Sequence, residues 1–469
     1  MAAAEELHYR HLADVAADIR SGGLSATEVT QHTLDRITRL DPRLHAFAFV
    51  RGDDALRDAE DADARRARGD ALGPLHGVPV AVKDLCAMAG TPTRAGGFFS
   101  TGFSSTDTAT VVTRLQDAGA IIIGKAQLTE GAWGSHHPDV ATPVNPWAED
   151  RWSGASSSGS GVSVAAGLAY GAVGTDTAGS IRFPSAANHL VGLKPTWGRV
   201  SRHGVFPLSD TFDHVGPMAR SVLDVALMYE AMAGHDPLDV TSLTEPVGDC
   251  ASAARAARLH GVRIGVDQAY ALGDVDGPTF SALTAAIALL KDQGAVIVDV
   301  RVPEVDAILP RAVMAAAAEA AISHAASYPS ERASYGQPYR DLLDLGRAST
   351  AVDYATVAIW RREFRGALHR VFAEVDMMVA PVLPIAPLLA SQMKASVGSS
   401  PVDSAGFMRY TIPFNLAGVP SLTLPMGRAA EGSPLGFQLI GPALSEATLL
   451  SAGAAYEAAS GFSTGHPDL

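Results

Sequence analysis

Cysteine is almost absent from this sequence: its 469 residues hold two, Cys86 and Cys250. Two cysteines build no disulfide framework, and neither stands at a metal-ligand spacing, so no metal is expected. Charged residues are also few, at 18 %, and the acidic ones prevail to give a net charge of −14. That balance repels phosphate backbones. No Lys/Arg cluster interleaved with aromatics offsets it, so nucleic acid is excluded as a partner. Long apolar runs are missing too. The uncharged stretch from Ser153 to Thr175 is rich in Ser and Gly and lacks the bulky apolar density of a spanning helix, so no membrane association is expected. The opening MAAAEELHYRHLADVAADIR carries charges throughout, and no signal peptide is read there. A soluble, cytoplasmic protein is the expectation. What the chain does have is apolar residues, 47 %, which suit a sizeable buried core.

Patterning organises that core. Ser25 and Glu28 in SATEV form a capping box, and Val29, Leu34, Ile37 and Leu40 repeat at helical spacing, which predicts a helix ending near Asp41-Pro42. The Arg- and Asp-rich sequence from Arg51 to Asp70 predicts a solvated helix. GVPVAVKD, Gly77 to Asp84, reads as a wholly apolar strand buried on both faces. Helix and strand then alternate, as in VVTRLQDAGA followed by IIIGKA and TAAIALLKDQGA followed by VIVDVRV. This rhythm predicts an α/β chain with a mixed, mostly parallel sheet covered by helices on both faces. The Ala-rich, helical stretch from Ala251 to Thr350 is where a substrate cover is expected. Strand-like runs DMMVAPVLP, SLTLPMG and PLGFQLIG follow. No repeat and no linker divides the chain, so a single large domain is expected.

Three stretches carry candidate chemistry. Lys83 ends the apolar strand, which taken alone reads as a surface lysine at a strand edge. GASSSGSG, Gly154 to Gly161, reads alone as a Ser/Gly turn or a capped helix start. It is no phosphate loop, because no Lys-Ser/Thr pair follows its last glycine. TDTAGSIRFP, Thr175 to Pro184, brings Ser180 to what reads as a helix start, where backbone N–H groups favour an oxyanion. The chain has fifteen histidines, but none stands in a recognisable triad motif. GSGVSVAAG lacks the context of a nucleophile elbow, which argues against an α/β-hydrolase esterase.

In this order and spacing the three stretches resemble the amidase signature family. GLKPTWGRVS, DHVGPMARS, YTIPFNLAGVPSLTLPMG and PLGFQLIGP match further family blocks, so the resemblance covers most of the chain. It implies the amidase signature fold over 1–469: N-terminal helices in 1–70, a signature core in 71–230, a variable helical region in 231–365, and a part completing sheet and pocket in 366–469. It also implies a Ser-cisSer-Lys triad without cofactor, in which Ser180 is the nucleophile and Lys83 the base. Ser156, at the family's usual 24 residues before Ser180, is the bridge, and the Ala155–Ser156 peptide is cis.

A serine hydroxyl needs a neighbour to take its proton as it attacks, and a neutral amine can do so. Lysine has an ordinary pKa of about 10.4, and burial at the end of an apolar strand disfavours its ammonium. The turn Thr177-Ala178-Gly179-Ser180 supplies oxyanion N–H groups, with Ala178 where the family usually has Gly. Asp176, Arg182 and Ser157 are expected to support the nucleophile, and Asp84 to orient the strand end.

The family's acyl pocket falls on AWGSHHP, Ala132 to Pro138, so Ala132, Trp133 and Gly134 are expected to line it. His136, Tyr410 and Phe414 would complete an aromatic wall with Trp133. Glutamine-using members of the family place an Asp shortly before Thr-x-Pro, where this chain has Met408 and Arg409. The expectation is therefore a small-molecule amide, anilide or carbamate, cleaved by a monomer or homodimer. The alternative is a catalytic subunit of a multiprotein glutamine amidotransferase.

Overall fold

Burial of Pro79–Lys83 on both faces needs a strand on each side, and a large sheet supplies them. The computed structural model describes residues 6–397 and 403–469, without the side chains of 394–397 and 403–405. Residues 1–5 of the stretch read for a signal peptide lie outside it. The strands are β1 Phe47–Val50, β2 Pro79–Lys83, β3 Ile121–Ala126, β4 Gly171–Asp176, β5 Val191–Lys194 and β6 His214–Ala219. β7 Arg263–Val266, β8 Val296–Asp299, β9 Met377–Pro381, β10 Ser421–Arg428 and β11 Pro434–Ile440 follow.

They form one 11-stranded sheet in the order β1-β3-β2-β4-β6-β5-β10-β11-β9-β7-β8. Helices flank it: Ser158–Ala165 packs on β2, β3, β4 and β6, Val222–Met232 on β4, β5 and β6, and Glu446–Ser460 on β10 and β11. The sheet is mixed, as expected, but antiparallel junctions outnumber parallel ones. Parallel pairing joins β3-β2-β4 and β9-β7-β8, while β1 and the central strands run antiparallel to their neighbours. The reason lies in the connections. β10 returns directly into β11 through a short turn, and such a turn can join only antiparallel strands.

The parallel block positions the site. β2, β3 and β4 run together, so their carboxyl ends, Lys83, Ala126 and Asp176, share one edge of the sheet. Crevices outside the carboxyl ends of parallel strands are where α/β folds bind ligands. The Ser25–Glu28 capping box forms, but its helix runs to Leu44, past Pro42. Proline removes one N–H, and in a last turn that loss does not stop the helix. No described helix is long and apolar enough to cross a membrane.

Candidate active site

Lys83 is fully buried at the end of β2, 2.7 Å from Ser156 Oγ and 2.8 Å from Thr175 Oγ1. Both partners are hydroxyls, and neither carries a countercharge. Burial lowers the lysine from 10.5 to about 7, with Asp213, Cys86 and Asp176 drawing it partly back. Ser156 is 2 % exposed and follows a cis Ala155–Ser156 peptide. Gly154 opens this segment at φ +84, and a Cβ there would stand 2.3 Å from the Pro184 Cα. Only glycine lets the two strand-end segments approach so closely.

The turn bearing Ser180 wraps around a single carboxylate. Asp176 receives Arg182 Nε at 3.0 Å and Nη2 at 2.9 Å, the N–H of Gly179 at 2.8 Å and of Ile181 at 3.1 Å, and Asn415 Nδ2 at 2.8 Å. Burial alone would raise this carboxyl, but the Arg182 guanidinium outweighs it, aided by Lys194 and Asn415, and holds it well below the carboxylate range. Arg182 also donates to the Thr411 carbonyl and to Gln438 and Asn415, and Thr411 Oγ1 donates to the Ala178 carbonyl at 2.5 Å. Ser157 Oγ donates to the Thr175 carbonyl at 3.2 Å. Asp84 pairs with Lys125 at 2.7 Å and accepts from the Arg94 N–H, so it fixes the segment after β2.

Ser156, Thr177, Ala178 and Ser180 line one cavity. Gly179, expected among the oxyanion donors, does not line it, and its N–H is given to Asp176. Ala178 keeps a negative φ, so its side chain strains nothing; the left-handed position is Gly179, at φ +132. The helix that follows, Arg182–Ala187, has six residues and begins two residues after Ser180.

Ala132, Trp133 and Gly134 line the cavity, as does Met408. Tyr410 and Phe414 do not. Both are fully buried in a separate apolar cluster, with Tyr410 against Tyr270 and Phe414 against Phe364. The wall at this end comes from Phe407 and Met408, before the helix Ile412–Ala417 begins and turns Phe414 away. His136 is also elsewhere, in a neighbouring cavity, 2.9 Å from Ser158 Oγ. Trp152, Phe183, Leu208 and Met393 complete the wall. No residue of 231–365 lines it, so the expected cover acts from behind: Tyr339 donates to the Gly131 carbonyl, and Gly336 N–H to Glu130.

Sequence reading missed Thr175, Thr411, Asn415 and Asp213 as parts of the site. Thr411 and Asn415 sit in the quoted block YTIPFNLAG, where a polar pair amid apolar residues was the available signal.

Residues 28–450 match the sequence profile of the family described as Amidase. The chain belongs to the amidase family. This amidase is 43 % identical to the putative amidase AmiD of Mycobacterium tuberculosis, over 98 % of this chain and 96 % of that one. It is 37 % identical to a glutamyl-tRNA(Gln) amidotransferase subunit from Chloroflexus aggregans, over 99 % of each. Its fold superposes with a TM-score of 0.86 on a bacterial aryl acylamidase of the amidase signature enzymes, 25 % identical over 98 % of each chain. The amidase is thus an amide-hydrolysing enzyme.

Proposed function

We propose that the enzyme cleaves a linear, uncharged amide through a Ser180 acyl-enzyme, with Ser156 and Lys83 as its proton relay. The observation that carries this reading is the uncompensated burial of Lys83 within 2.7 Å of Ser156 Oγ. Ser180 Oγ attacks the carbonyl carbon, its proton passes to Ser156, and the Ser156 proton passes to the Lys83 amine. The N–H groups of Thr177, Ala178 and Ser180 receive the oxyanion. Collapse breaks the C–N bond, and the relay runs backwards to protonate the leaving nitrogen. Water then attacks the acyl-enzyme by the same route and frees Ser180.

The cavity favours an aryl or otherwise apolar group on the substrate, as an anilide, amide or carbamate. Trp133, Trp152, Phe183, Met393, Phe407 and Met408 supply an aromatic and thioether wall, and no lining residue is acidic. An ammonium-bearing glutamine would lack a partner there. The adjacent Arg409 does not line this cavity and pairs with Asp274 and Asp306. The 37 % identity with the amidotransferase component favours a second reading, a chain that works only with partners.

A fluorophosphonate probe on the isolated chain separates the two readings. Labelling abolished by Ser180→Ala supports the free-standing hydrolase, and an unlabelled wild type supports the partner-dependent one. Amine or ammonia release from a panel of anilides, aliphatic amides, carbamates and glutamine tests the substrate class. Turnover should rise from acid pH through about 7, because Lys83 is a base only once it has lost its proton. A profile flat across that range would remove Lys83 from the role.

A further inference from the structure

One buried carboxylate beside the serine turn has no place in the proton relay. Asp213 lies just before β6 and is 8 % exposed. Its hydrogen-bond partners are neutral: the Thr177 hydroxyl donates at 2.5 Å, and the N–H groups of Leu208 and Ser209 at 2.9 and 3.0 Å. Burial pushes this carboxyl up to about 6, against the pull of the Thr177 hydroxyl, Arg202 and those N–H groups.

Two features make this more than a structural hydrogen bond. Thr177 opens the turn that lines the substrate cavity, so Asp213 holds the first residue of that turn by its side chain. Asp213 also lines a second cavity, together with Thr175, Leu208, Arg202 and Asp210. Thr175 is the second partner of Lys83, and Leu208 lines both cavities. The base therefore has one hydroxyl partner on each cavity, and Asp213 stands on the rear one. Among the charges that favour the Lys83 ammonium, Asp213 acts most strongly, ahead of Cys86 and Asp176.

We propose that Asp213 is a positioning residue for both halves of the reaction, holding Thr177 in the oxyanion turn and poising Lys83 by its charge. This rests on the reading of Lys83 as base and Thr177 as oxyanion donor. The other charged or titratable groups facing Asp213 are Arg202 and Asp210 on the rear cavity, which pair with each other, Lys83, and Tyr339 from the helix Gln337–Ala348. Glu319 approaches through Ser209, whose hydroxyl it accepts at 2.7 Å. The sign follows from the charge. An ionised Asp213 favours the ammonium, so removing it makes Lys83 lose its proton at lower pH.

The test is kcat/KM for an anilide against pH, in the wild type, Asp213→Asn and Thr177→Val. Asp213→Asn should move the acid limb down by about one pH unit. It should also lower the plateau about tenfold, less than the loss of an oxyanion donor outright. Thr177→Val should lower the plateau and move the limb in the same direction by less, because Asp213 without that hydroxyl is less readily ionised. Asp213→Ala should regain turnover when formate is added, because the rear cavity admits a small carboxylate. An unmoved limb in Asp213→Asn overturns the proposal, as does an Asp213→Ala enzyme that formate leaves unchanged. Should Asp213→Ala fail to fold, the limb of Asp213→Asn decides alone. Lys83→Met with wild-type turnover would instead overturn the relay itself, a result distinct from either Asp213 outcome.

Discussion

Lys83 and Lys125 lie on adjacent parallel strands, one register step apart, and both are fully buried. One has a carboxylate, Asp84, at 2.7 Å; the other has only two hydroxyls. A buried ammonium is tolerated when paired and expensive when not, and the unpaired one relieves the cost by giving up its proton. Two identical side chains thus meet different surroundings, one beside a carboxylate and one beside hydroxyls. In the proposed relay, what activates Lys83 is the partner that it lacks.

The first way to break that contrast is to delete each amine. Lys83→Met should lower kcat by about two to four orders of magnitude, the range of a lost general base. Lys125→Met should keep near-wild-type kcat per folded molecule while lowering the melting temperature; steady-state kinetics beside circular dichroism would read both.

The second removes the charge that separates the two lysines. Asp84→Asn leaves Lys125 buried without its counterion and should cost about 3–5 kcal/mol in urea denaturation.

The third uses pH. The folded pKa of Lys83 is depressed from 10.5 to about 7, so between those values the unfolded chain binds a proton that the folded chain does not. Wild-type stability therefore gains about 1.4 kcal/mol per pH unit from this group across that window, and the gain is absent below it. Lys83→Met should be the more stable protein at pH 6, and its lead should shrink steadily towards pH 10, as measured by urea midpoints at each pH.

The smallest effect carries the contrast into the substrate cavity. Met408→Asp places there the kind of charge that Asp84 gives Lys125. It should lower kcat/KM for an apolar anilide about tenfold while improving amides that carry an ammonium, in the same release assay.

The parts of the site that could be read from the sequence are those in which neighbours in the chain are neighbours in space. GVPVAVKD showed a buried strand ending in lysine because apolar residues without alternation require burial on both faces. TDTAGSIRFP holds Ser180, the carboxylate of Asp176 and its arginine within eight positions, from Thr175 to Arg182. The cavity wall was only partly legible. Ala132, Trp133 and Gly134 form one segment, but Trp152, Met393 and Phe407 come from three others, and their convergence depends on the sheet order. Tyr410 and Phe414 failed as predictions for the same reason. Tyr410 sits in the turn before the short helix Ile412–Ala417 and Phe414 within it, and there an aromatic residue can face the ligand or the core without adjacent letters deciding which. Helix-strand alternation at the two flanks overstates the parallel share of the sheet, because it says nothing about the central strands, which run antiparallel to their neighbours.

Arg182 is bonded to Asn415 and Gln438, more than two hundred residues further along the chain. During synthesis, then, Ser180 emerges from the ribosome long before the groups that stitch its loop into shape. Nascent chains and truncated fragments that stop short of Asn415 carry the serine turn without this scaffold, so the turn takes its final form only when the later strands join the sheet.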